Sequence, residues 1–489
     1  MHGSLLLLPI IFPFIGALMT SRIQELQVRR PVVSVTLILH FITTLTVTRA
    51  NIPVFSLLEL TPNVRIVLRL DPVGTLFALL ISAIWFLVSL FAAEYMRHEG
   101  HPGRFFTFYL TTLGALTGVC FAGNLVTLYM FYELMTICSV PLVLHVGTKQ
   151  AFAAAWRYLA YSVGGAALGL LGLFFLQAYC TTDLFTPGGV LDPVMAAENR
   201  TLLLVIFLLM AIGFGCKAGM FPLHAWLPIA HPEAPAPASA VLSGLITKMG
   251  VLALIRVVYY LFGWQFLSGS WAQTAVLILS LVTILMGSAM AFWEDTLKKR
   301  LAYSTVSQVS YIIFGLMLMN PTAMEGALYQ VIFHAIAKNA LFLAVGAIIY
   351  KTHLTHASQL RGVGVVFHIT MWCFTLSSLS LVGIPPTGGF VSKWLLAQGA
   401  LASGIPGALP YVGIAILMIS ALLTAGYLLS IVTRAFFPGE EFDNRVIHRQ
   451  HKTPKMRLAL CTLTAASMIL GMFPNLIAPA MAAIVGVLF

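Results

Sequence analysis

Residues 211–250 read AIGFGCKAGMFPLHAWLPIAHPEAPAPASAVLSGLITKMG, and this stretch decides how the rest of the chain is interpreted. Apolar runs long enough to cross a bilayer flank it on both sides. Within it lie two lysines, two histidines, a glutamate, five prolines and five glycines. Because a charged side chain near the bilayer centre costs at least about 2.5–3.5 kcal/mol, charge in this position indicates a functional site inside the membrane.

The composition of the whole chain is that of a membrane protein. Hydrophobic residues make up 59% of the 489 residues and charged residues only 9%, and no segment is long enough to be a separate soluble domain. These values predict an all-α polytopic membrane protein in which residues 1–489 form a single membrane domain. The net charge of +11 fits loops rich in lysine and arginine. It does not indicate nucleic-acid binding, because no exposed basic run is interleaved with aromatic residues.

About fourteen transmembrane helices are predicted from the apolar runs between charged or Pro/Gly-rich breaks. The predicted spans lie near residues 4–20, 32–49, 72–95, 105–121, 124–146, 153–179, 201–229, 236–262, 272–292, 302–319, 324–350, 364–403, 409–436 and 457–487. The seventh and the twelfth of these are too long and too interrupted for straight helices, so both are predicted to be broken.

The basic residues predict how the chain is oriented in a cell (inner) membrane. Loops after odd-numbered spans, with their flanks, hold Arg22, Arg29, Arg30, Arg97, Arg104, Lys149, Arg157, Lys298, Lys299, Arg300, Lys351, Arg361, Arg445, Arg449, Lys452 and Lys455. Loops after even-numbered spans hold little beyond Arg65, Arg69 and Arg200. Because cytoplasmic loops carry the excess of lysine and arginine, both termini are predicted to lie on the outer side.

A weak internal repeat links the two interrupted spans. Gly219-Met-Phe-Pro222 with Lys217 nearby recurs in outline as Gly383-Ile-Pro-Pro386 with Lys393 nearby. Proline removes a backbone donor and clashes with the preceding turn, so breaks are predicted at Pro222, Pro228, Pro385 and Pro386. Freed backbone groups survive at membrane depth only beside protein or water, and paired breaks of this kind indicate an ion or substrate site.

Six ionisable residues within the predicted spans are candidates for a proton relay, namely Glu133, Lys217, Lys248, His334, Lys338 and Lys393. His334 and Lys338 are four residues apart and share one helix face. Glu133 and Lys217 are predicted to form an ion pair whose opening and closing loads or releases a proton. Most of these residues also have a purely structural alternative. The Glu133–Lys217 pair would be a static bridge between helices, and Lys248 and Lys393 would extend to the membrane surface. His334 would be a structural histidine of the core.

Four further residues are weaker candidates. Asp71 precedes Pro72 where a span begins, which favours helix capping over a role in proton movement. His224, His231 and Glu233 follow the first break and are candidates for a proton entrance, the alternative being hydrated loop residues without such a role. The six cysteines are isolated, and no nucleotide, nucleophile-elbow or thiolate motif is present. No metal and no cofactor is therefore expected in this chain.

Several motifs of the sequence resemble those of a known family. GFGCKAGMFPLHAWLPIAHPEAPAPASAVLSGLITKMG resembles the signature of the antiporter-like proton-translocating subunits of complex I, Mrp cation/proton antiporters and energy-converting membrane hydrogenases. LYMFYELMTI, DTLKKRLAYSTVSQVSY, FHAIAKNALFLAVG and GIPPTGGFVSKW match further motifs, so the resemblance covers nearly the whole chain. A chain of this length is most similar to Mrp D-type and hydrogenase-type subunits.

The resemblance implies a fold of fourteen helices with two inverted five-helix repeats. Residues 1–121 then hold the N-terminal spans and the start of the first repeat, the repeats cover about 105–262 and 272–436, and 457–487 is the C-terminal span. By position, Glu133 and Lys217 resemble the family's essential pair, Lys248 its central lysine, and Lys393 its terminal exit residue. His334 and Lys338 resemble the bridge between the two halves.

The function implied is that of a proton-translocating subunit, with Na⁺ exchange as a variant, inside a redox-driven or antiporter complex. Its expected partners are other membrane subunits of that complex, peripheral iron–sulfur or hydrogenase subunits, and the lipid bilayer. The chain has no redox site of its own, so whether it counts as part of an enzyme depends on the complex. The rival interpretations are a stand-alone transporter of an organic solute and a structural membrane anchor for a soluble enzyme.

Overall fold

The computed structural model describes residues 3–50, 52–61, 64–439 and 453–489. Helices dominate these residues, and eleven of the described helices are long and apolar enough to cross a membrane. Two shorter apolar helices, His368–Val382 and Ala478–Leu488, accompany them. The predicted polytopic membrane fold is therefore confirmed. Arg445, Arg449 and Lys452, which contributed to the predicted orientation, lie outside the described residues.

The described helices and strands follow the chain in this order. The first part contains α1 (Leu8–Arg22), α2 (Leu26–Arg49), β1 (Phe55–Thr61), β2 (Val64–Leu68), α3 (Pro72–Tyr95), α4 (Pro102–Cys120), α5 (Leu125–Val143), α6 (Lys149–Leu176), α7 (Pro193–Glu198), α8 (Arg200–Ala218), α9 (Trp226–Glu233), α10 (Ala236–Val241) and α11 (Thr247–Ile255). The second part contains α12 (Trp264–Leu267), α13 (Trp271–Trp293), α14 (Leu297–Met317), α15 (Pro321–Thr352), α16 (Val363–Val366), α17 (His368–Val382), α18 (Gly388–Leu401), α19 (Leu409–Phe436), α20 (Pro454–Met472) and α21 (Ala478–Leu488).

A β-hairpin between α2 and α3 corrects the all-α prediction. β1 and β2 pair antiparallel, with Phe55 opposite Leu68 and Thr61 opposite Val64. Val67 and Leu68 are buried against the helices. Each strand is far shorter than the roughly 20 residues of a transmembrane helix, so a search for membrane-length apolar runs passes over both.

The seventh predicted span is interrupted. α8 ends at Ala218, Gly219 caps it with a φ of 80°, and α9 begins only at Trp226. Pro222 lies in the turn between them, and the peptide bond before it is cis. Pro228, predicted as part of the break, instead lies in the first turn of α9, where backbone N–H groups have no partner within the helix.

The twelfth predicted span is interrupted in the same way. α17 ends at Val382, and Gly383 caps it with a φ of 89°. α18 begins at Gly388, so Pro385 and Pro386, joined by a cis bond, lie in the turn. The carbonyl groups of the last turn of a helix have no partner within the regular helix, so each break offers carbonyls to donors elsewhere in the bundle.

Two spans occupy the centre of the bundle. One is the span Ala236–Phe262, which is built from α10, α11 and the π-helical segments Leu242–Ile246 and Arg256–Phe262. In its apolar 18-residue stretch, 100% of the residues are buried. The other is α15, where 94% of the residues in the corresponding stretch are buried, compared with only 33% in α2. The central span carries Lys248, and α15 carries His334 and Lys338. These three residues therefore lie inside the protein rather than at its lipid-facing surface.

Paired glycines hold α6 against α8. An added Cβ at Gly165 would lie 2.7 Å from the carbonyl oxygen of Gly213, and one at Gly213 would lie 2.4 Å from the carbonyl oxygen of Gly165. Neither contact is tolerated, so only glycine lets the two helix backbones approach this closely. The approach matters for the site because Lys217 lies one turn further along α8.

We predict that Gly165→Val lowers the thermal unfolding temperature of the purified protein, whereas Gly164→Val leaves it close to wild type. Forcing a side chain into a packed contact typically costs about 1–3 kcal/mol, and a backbone obstacle cannot move aside as a side chain does. Gly164 is the matched control, because it lies in the same helix but an added Cβ there meets nothing within 4 Å. Equal destabilisation by the two variants would show that the α6–α8 contact is not required.

Candidate functional site

Hydroxyl groups from two neighbouring helices hold Lys217. This lysine lies buried in the last turn of α8. Its Nζ donates to Thr136 Oγ1 at 2.9 Å, Tyr158 Oη at 3.0 Å and Ser162 Oγ at 2.9 Å. All three donors of the ammonium group are thus satisfied. The ring of Tyr158, with its centroid 4.5 Å from Nζ, adds a cation–π contact.

The predicted ion pair between Glu133 and Lys217 is not formed in this structure. Across the parts of the chain that the structure describes, the ion pairs within 4.0 Å are Arg65–Asp183, Arg256–Asp71 and Lys299–Glu294. Glu133 is half-buried on α5, three residues before Thr136, and its Oε1 is buried without a hydrogen-bond partner. Since hydroxyls already use the three donors of Lys217, the carboxylate lies near the lysine without a direct bond.

Lys248 and His334 are in direct contact. Lys248 Nζ lies 2.6 Å from His334 Nδ1, and it also donates to the carbonyl of Ser243 at 2.7 Å. Both side chains are buried. The other ring nitrogen of His334, Nε2, has no hydrogen-bond partner. The structure therefore brings together two residues predicted for the relay, one from each half of the chain.

Backbone carbonyls hold the last two lysines of the predicted relay. Lys338 is buried on α15, four residues after His334, and its Nζ donates to the carbonyl of Leu301 at 3.0 Å. Lys393 Nζ donates to the carbonyls of Leu381 at 2.5 Å and Val382 at 2.7 Å. These two carbonyls belong to the last turn of α17, where the helix dipole also favours a positive charge. The second helix break thus supplies the binding groups for Lys393.

The residues predicted for the entrance occupy different environments. His224 lies in the turn between α8 and α9, and Glu233 is the last residue of α9, partly exposed. His231 is a helical residue of α9 with no exposed surface, stacked on Phe342 at a centroid distance of 4.8 Å. The alternative that His231 is a hydrated loop residue is therefore wrong. Neither ring nitrogen of His231 has a hydrogen-bond partner.

Asp71 caps α3 and also binds an arginine that the sequence analysis missed. Its Oδ1 accepts from the Gly74 amide at 2.8 Å, the cap that Asp71-Pro72 predicts. Arg256 Nη1 donates to Oδ2 at 2.5 Å and Nη2 to Oδ1 at 2.8 Å, and Tyr260 Oη donates to Oδ2 at 2.6 Å. Arg256 is only 2% exposed. This buried ion pair ties the end of the central span to α3.

The pKa of Asp71 reflects two opposing effects. Burial alone raises the pKa of this carboxyl, but the charge of Arg256 and the hydrogen bonds from Arg256, Tyr260 and Gly74 lower it below its ordinary value. Asp71 therefore stays ionised at neutral pH. Its contribution to stability is present above its ordinary pKa and is lost as the pH falls through the lowered value.

The groups around the lysines are those that sequence reasoning missed. Thr136, Tyr158 and Ser162 bind Lys217, yet a serine or threonine in an apolar helix usually bonds back to its own backbone and gives no signal of a longer contact. Arg256 lies 185 residues from Asp71 along the chain, so their pairing is not readable from spacing. Among the described residues, no group of three or more His, Cys, Asp or Glu side chains is placed to hold a metal ion.

Comparison with known proteins identifies the family. Residues 122–424, more than half of the chain, match the family model described as "NADH:quinone oxidoreductase/Mrp antiporter, TM". Residues 60–106 match a second model, "NADH-Ubiquinone oxidoreductase (complex I), chain 5 N-terminus". The chain belongs to the family of membrane subunits shared by NADH:quinone oxidoreductases and Mrp antiporters, as its motifs predict.

Similar proteins come from both branches of this family. The N-type subunit of the NADH-quinone oxidoreductase of Desulforudis audaxviator is 32% identical over 77% of this chain and 74% of its own. The D-type subunit of the Na⁺/H⁺ antiporter of Alkalihalophilus pseudofirmus is 29% identical over 96% of this chain and 94% of its own. A chain in the structure of the Mrp complex from Dietzia superimposes with a TM-score of 0.84 at 22% identity, covering 99% of this chain and 97% of that one. That last likeness concerns the fold.

We predict that Asp71→Ala strongly destabilises the protein, whereas Asp183→Ala has a small effect. Removing one member of a buried ion pair leaves an uncompensated charge and costs about 3–5 kcal/mol. The Arg65–Asp183 pair is 35% and 26% exposed, so its removal costs at most about 1 kcal/mol. The measurement is thermal unfolding at neutral pH. Similar losses of stability in the two single variants would contradict a structural role for the Asp71–Arg256 pair. A double variant that carries both Asp71→Leu and Arg256→Met should recover part of the stability lost in Asp71→Ala.

Proposed function

We propose that this chain is a proton-translocating membrane subunit of a multi-subunit complex. In an antiporter complex, the same proton movement would be coupled to Na⁺ as Na⁺/H⁺ exchange. The observation that carries the proposal is the contact between Lys248 and His334, two buried titratable groups 2.6 Å apart at the junction of the two halves. The similarity to subunits of a quinone oxidoreductase and of a Na⁺/H⁺ antiporter supports it. Buried Lys217 and half-buried Lys393 extend this set of lysines to either side.

The Lys248–His334 contact is suited to direct proton transfer. One proton moves from the Nζ ammonium of Lys248 to Nδ1 of His334, which leaves a neutral amine and an imidazolium. His334 then releases the proton on Nε2, and the ring returns to a neutral tautomer with its proton on Nδ1. Both groups lie within hydrogen-bond distance, as such a transfer requires.

Repulsion between like charges gives the transfer a direction. A change at Glu133 alters how strongly the charge of Lys217 is stabilised, because the two lie close together without forming a bond. A proton that leaves Lys217 for Lys248 raises the local positive charge, which favours onward movement through His334 and Lys338 to Lys393. Release from Lys393 to the outer side completes the cycle.

Glu133 also supports the proposal that other membrane subunits are partners. This carboxylate is only half-buried, on the outward side of α5 next to Ile137, which is 61% exposed. A carboxylate exposed to lipid tails at mid-span is costly, so a neighbouring subunit is expected to cover it. Peripheral iron–sulfur or hydrogenase subunits belong to the same proposal when the complex is redox-driven.

His231 is the proposed proton entrance, with His224 and Glu233 on either side along the chain. It is buried with both ring nitrogens unpaired, and buried polar atoms of this kind are normally satisfied by water. Glu233 lies two residues further at the partly exposed end of α9. Lys298 donates to the carbonyl of Ala234 at 2.7 Å and so holds this end of α9 in place.

The complete topology is part of the same proposal. It comprises fourteen spans, inverted repeats over about residues 105–262 and 272–436, and both termini on the outer side of the inner membrane. The two helix breaks in corresponding positions support the repeats, and the distribution of lysine and arginine among the loops supports the orientation. Each break begins at a glycine in the left-handed conformation and contains a proline. Each also has a relay lysine within ten residues, Lys217 before the first and Lys393 after the second.

The solute-transporter alternative requires a substrate-sized cavity at the breaks. Two cavities of about 380 and 250 Å³ lie instead beside Arg65 and beside Asp71, near the β-hairpin. None of the six relay residues lines either cavity. Neither of these two cavities therefore provides a solute site at the helix breaks.

We predict that Lys217→Ala abolishes coupled proton movement by the intact complex in reconstituted vesicles. The variant removes the titratable group that the hydroxyls of Thr136, Tyr158 and Ser162 hold, so no proton is loaded there. Lys299→Ala is the control, because this lysine is 40% exposed and pairs with Glu294 at the surface. Proton movement at the wild-type rate in Lys217→Ala would rule out the proposed function.

We predict that His231→Leu slows proton movement, because apolar leucine cannot take up a proton or bind the water that supplies one. A group acting in proton transfer contributes about a hundredfold or more, so the loss should be at least of that order. His368→Leu, which changes an exposed histidine, is the control. The rate is measured in vesicles as a pH change; an unaltered rate in His231→Leu would place the entrance elsewhere.

A further inference from the structure

Three buried polar side chains outside the predicted relay form a hydrogen-bonded chain across three helices. Gln308 lies on α14, Gln330 on α15 and Ser392 on α18, each at most 2% exposed. Gln330 Nε2 donates to Gln308 Oε1 at 3.0 Å, and Ser392 Oγ donates to Gln330 Oε1 at 2.6 Å. We refer to these three residues as the amide chain.

The amide chain lies between two relay residues that do not touch each other. Gln330 is one helical turn before His334, on the same face of α15. At the other end, Ser392 directly precedes Lys393 on α18. Gln308 is three residues before Tyr311, whose ring centroid lies 5.4 Å from Lys393 Nζ. The chain therefore joins the surroundings of His334 to those of Lys393.

Two polar atoms at this junction have no partner. The amide nitrogen of Gln308 and Nε2 of His334 are both buried without a hydrogen bond. Leaving a buried donor or acceptor unsatisfied costs about 1–3 kcal/mol each, and such groups in native proteins are normally satisfied by ordered water. The same Nε2 is the atom from which His334 has to pass its proton onward.

We infer that Gln308 and Gln330 are positioning residues that hold water between His334 and Lys393, and that proton passage to Lys393 depends on this water. The inference rests on the proposed function and extends it to the second half of the chain. A carboxamide suits this task because it offers both a donor and an acceptor but carries no charge. It orients water without retaining a proton, and it adds no further cation beside the two lysines.

A carboxylate in the same place would act differently. Its charge would attract the Lys393 or Lys248 ammonium and hold the proton there. The bases on the helices around position 330 include His334 and Lys338 on α15, Lys393 on α18 and Lys248 on the central span, and the acidic groups include Tyr311 on α14 and Glu325 and Tyr329 on α15. The four bases outnumber the carboxyl of Glu325, so an ionised carboxyl at position 330 would be stabilised.

We predict that Gln330→Leu lowers proton movement by the intact complex about tenfold to a hundredfold, the range expected when a reacting group loses its alignment. Gln273→Leu is the matched control, because Gln273 is also a buried glutamine and donates to the carbonyl of Met317 at 2.8 Å, away from the relay. Both variants are compared at equal amounts of assembled complex. A wild-type rate in Gln330→Leu, or an equal loss in Gln273→Leu, overturns the inference.

Gln330→Glu gives a readout that a purely structural role would not produce. The protonated carboxyl donates and accepts hydrogen bonds as the amide does, so the variant should approach the wild-type rate at low pH and fall below it as the pH rises. Gln330→Leu should stay slow at every pH. If Gln330→Glu follows the wild-type pH profile throughout, Gln330 does not position the transferred proton.

Lys217→Ala in the same vesicles separates this inference from the proposed function. Loss of proton movement in Lys217→Ala together with a wild-type rate in Gln330→Leu overturns the water link alone. A wild-type rate in Lys217→Ala overturns the proposed function, whereas slow rates in both variants, with a normal rate in Gln273→Leu, support both.

Discussion

The interior of this protein depends on one constraint, that a lysine ammonium buried at membrane depth must have partners for its N–H groups. Lys217 meets three hydroxyls, Lys248 a carbonyl and the imidazole of His334, Lys338 one carbonyl, and Lys393 two carbonyls. None of these partners carries a negative charge. Neutral partners stabilise the ammonium less than a carboxylate does, as the proposed uptake and release of a proton at each lysine requires.

The helix breaks and the site are parts of one arrangement. The carbonyls in the last turn of a helix have no partner within that helix, so an interrupted helix offers them to a lysine inside the bundle. The end of α17 provides them for Lys393, and the end of α8 places Lys217 against α5 and α6, where Gly165 and Gly213 bring the backbones close. The buried Asp71–Arg256 pair anchors the other end of the span that carries Lys248, so that the central lysine is held from both sides.

Hydropathy and the Pro/Gly pattern were sufficient to predict the membrane fold and to identify two interrupted helices, because both depend on residues close together in the chain. The partners of the lysines could not be predicted, because Thr136, Ser162 and the carbonyl of Leu301 come from helices whose relative rotation the sequence does not specify. Charge alone suggested that Glu133 would bind Lys217, but hydroxyls satisfy the lysine first. The β-hairpin was missed because its strands are too short to register as spans, and the burial of His231 within α9 was missed because its partner Phe342 comes from a distant helix.

The central claim is that buried cations, neutral partners and water form one continuous polar path through the protein. The most direct test is a cryo-EM structure of the intact complex at a resolution that places ordered water. Water bonded to His231, to Glu133 Oε1, to His334 Nε2 and to the amide nitrogen of Gln308, linking Lys217 to Lys393, is the predicted result. A dry, closely packed apolar region at these atoms would contradict the account, because protons would then have no route between the lysines.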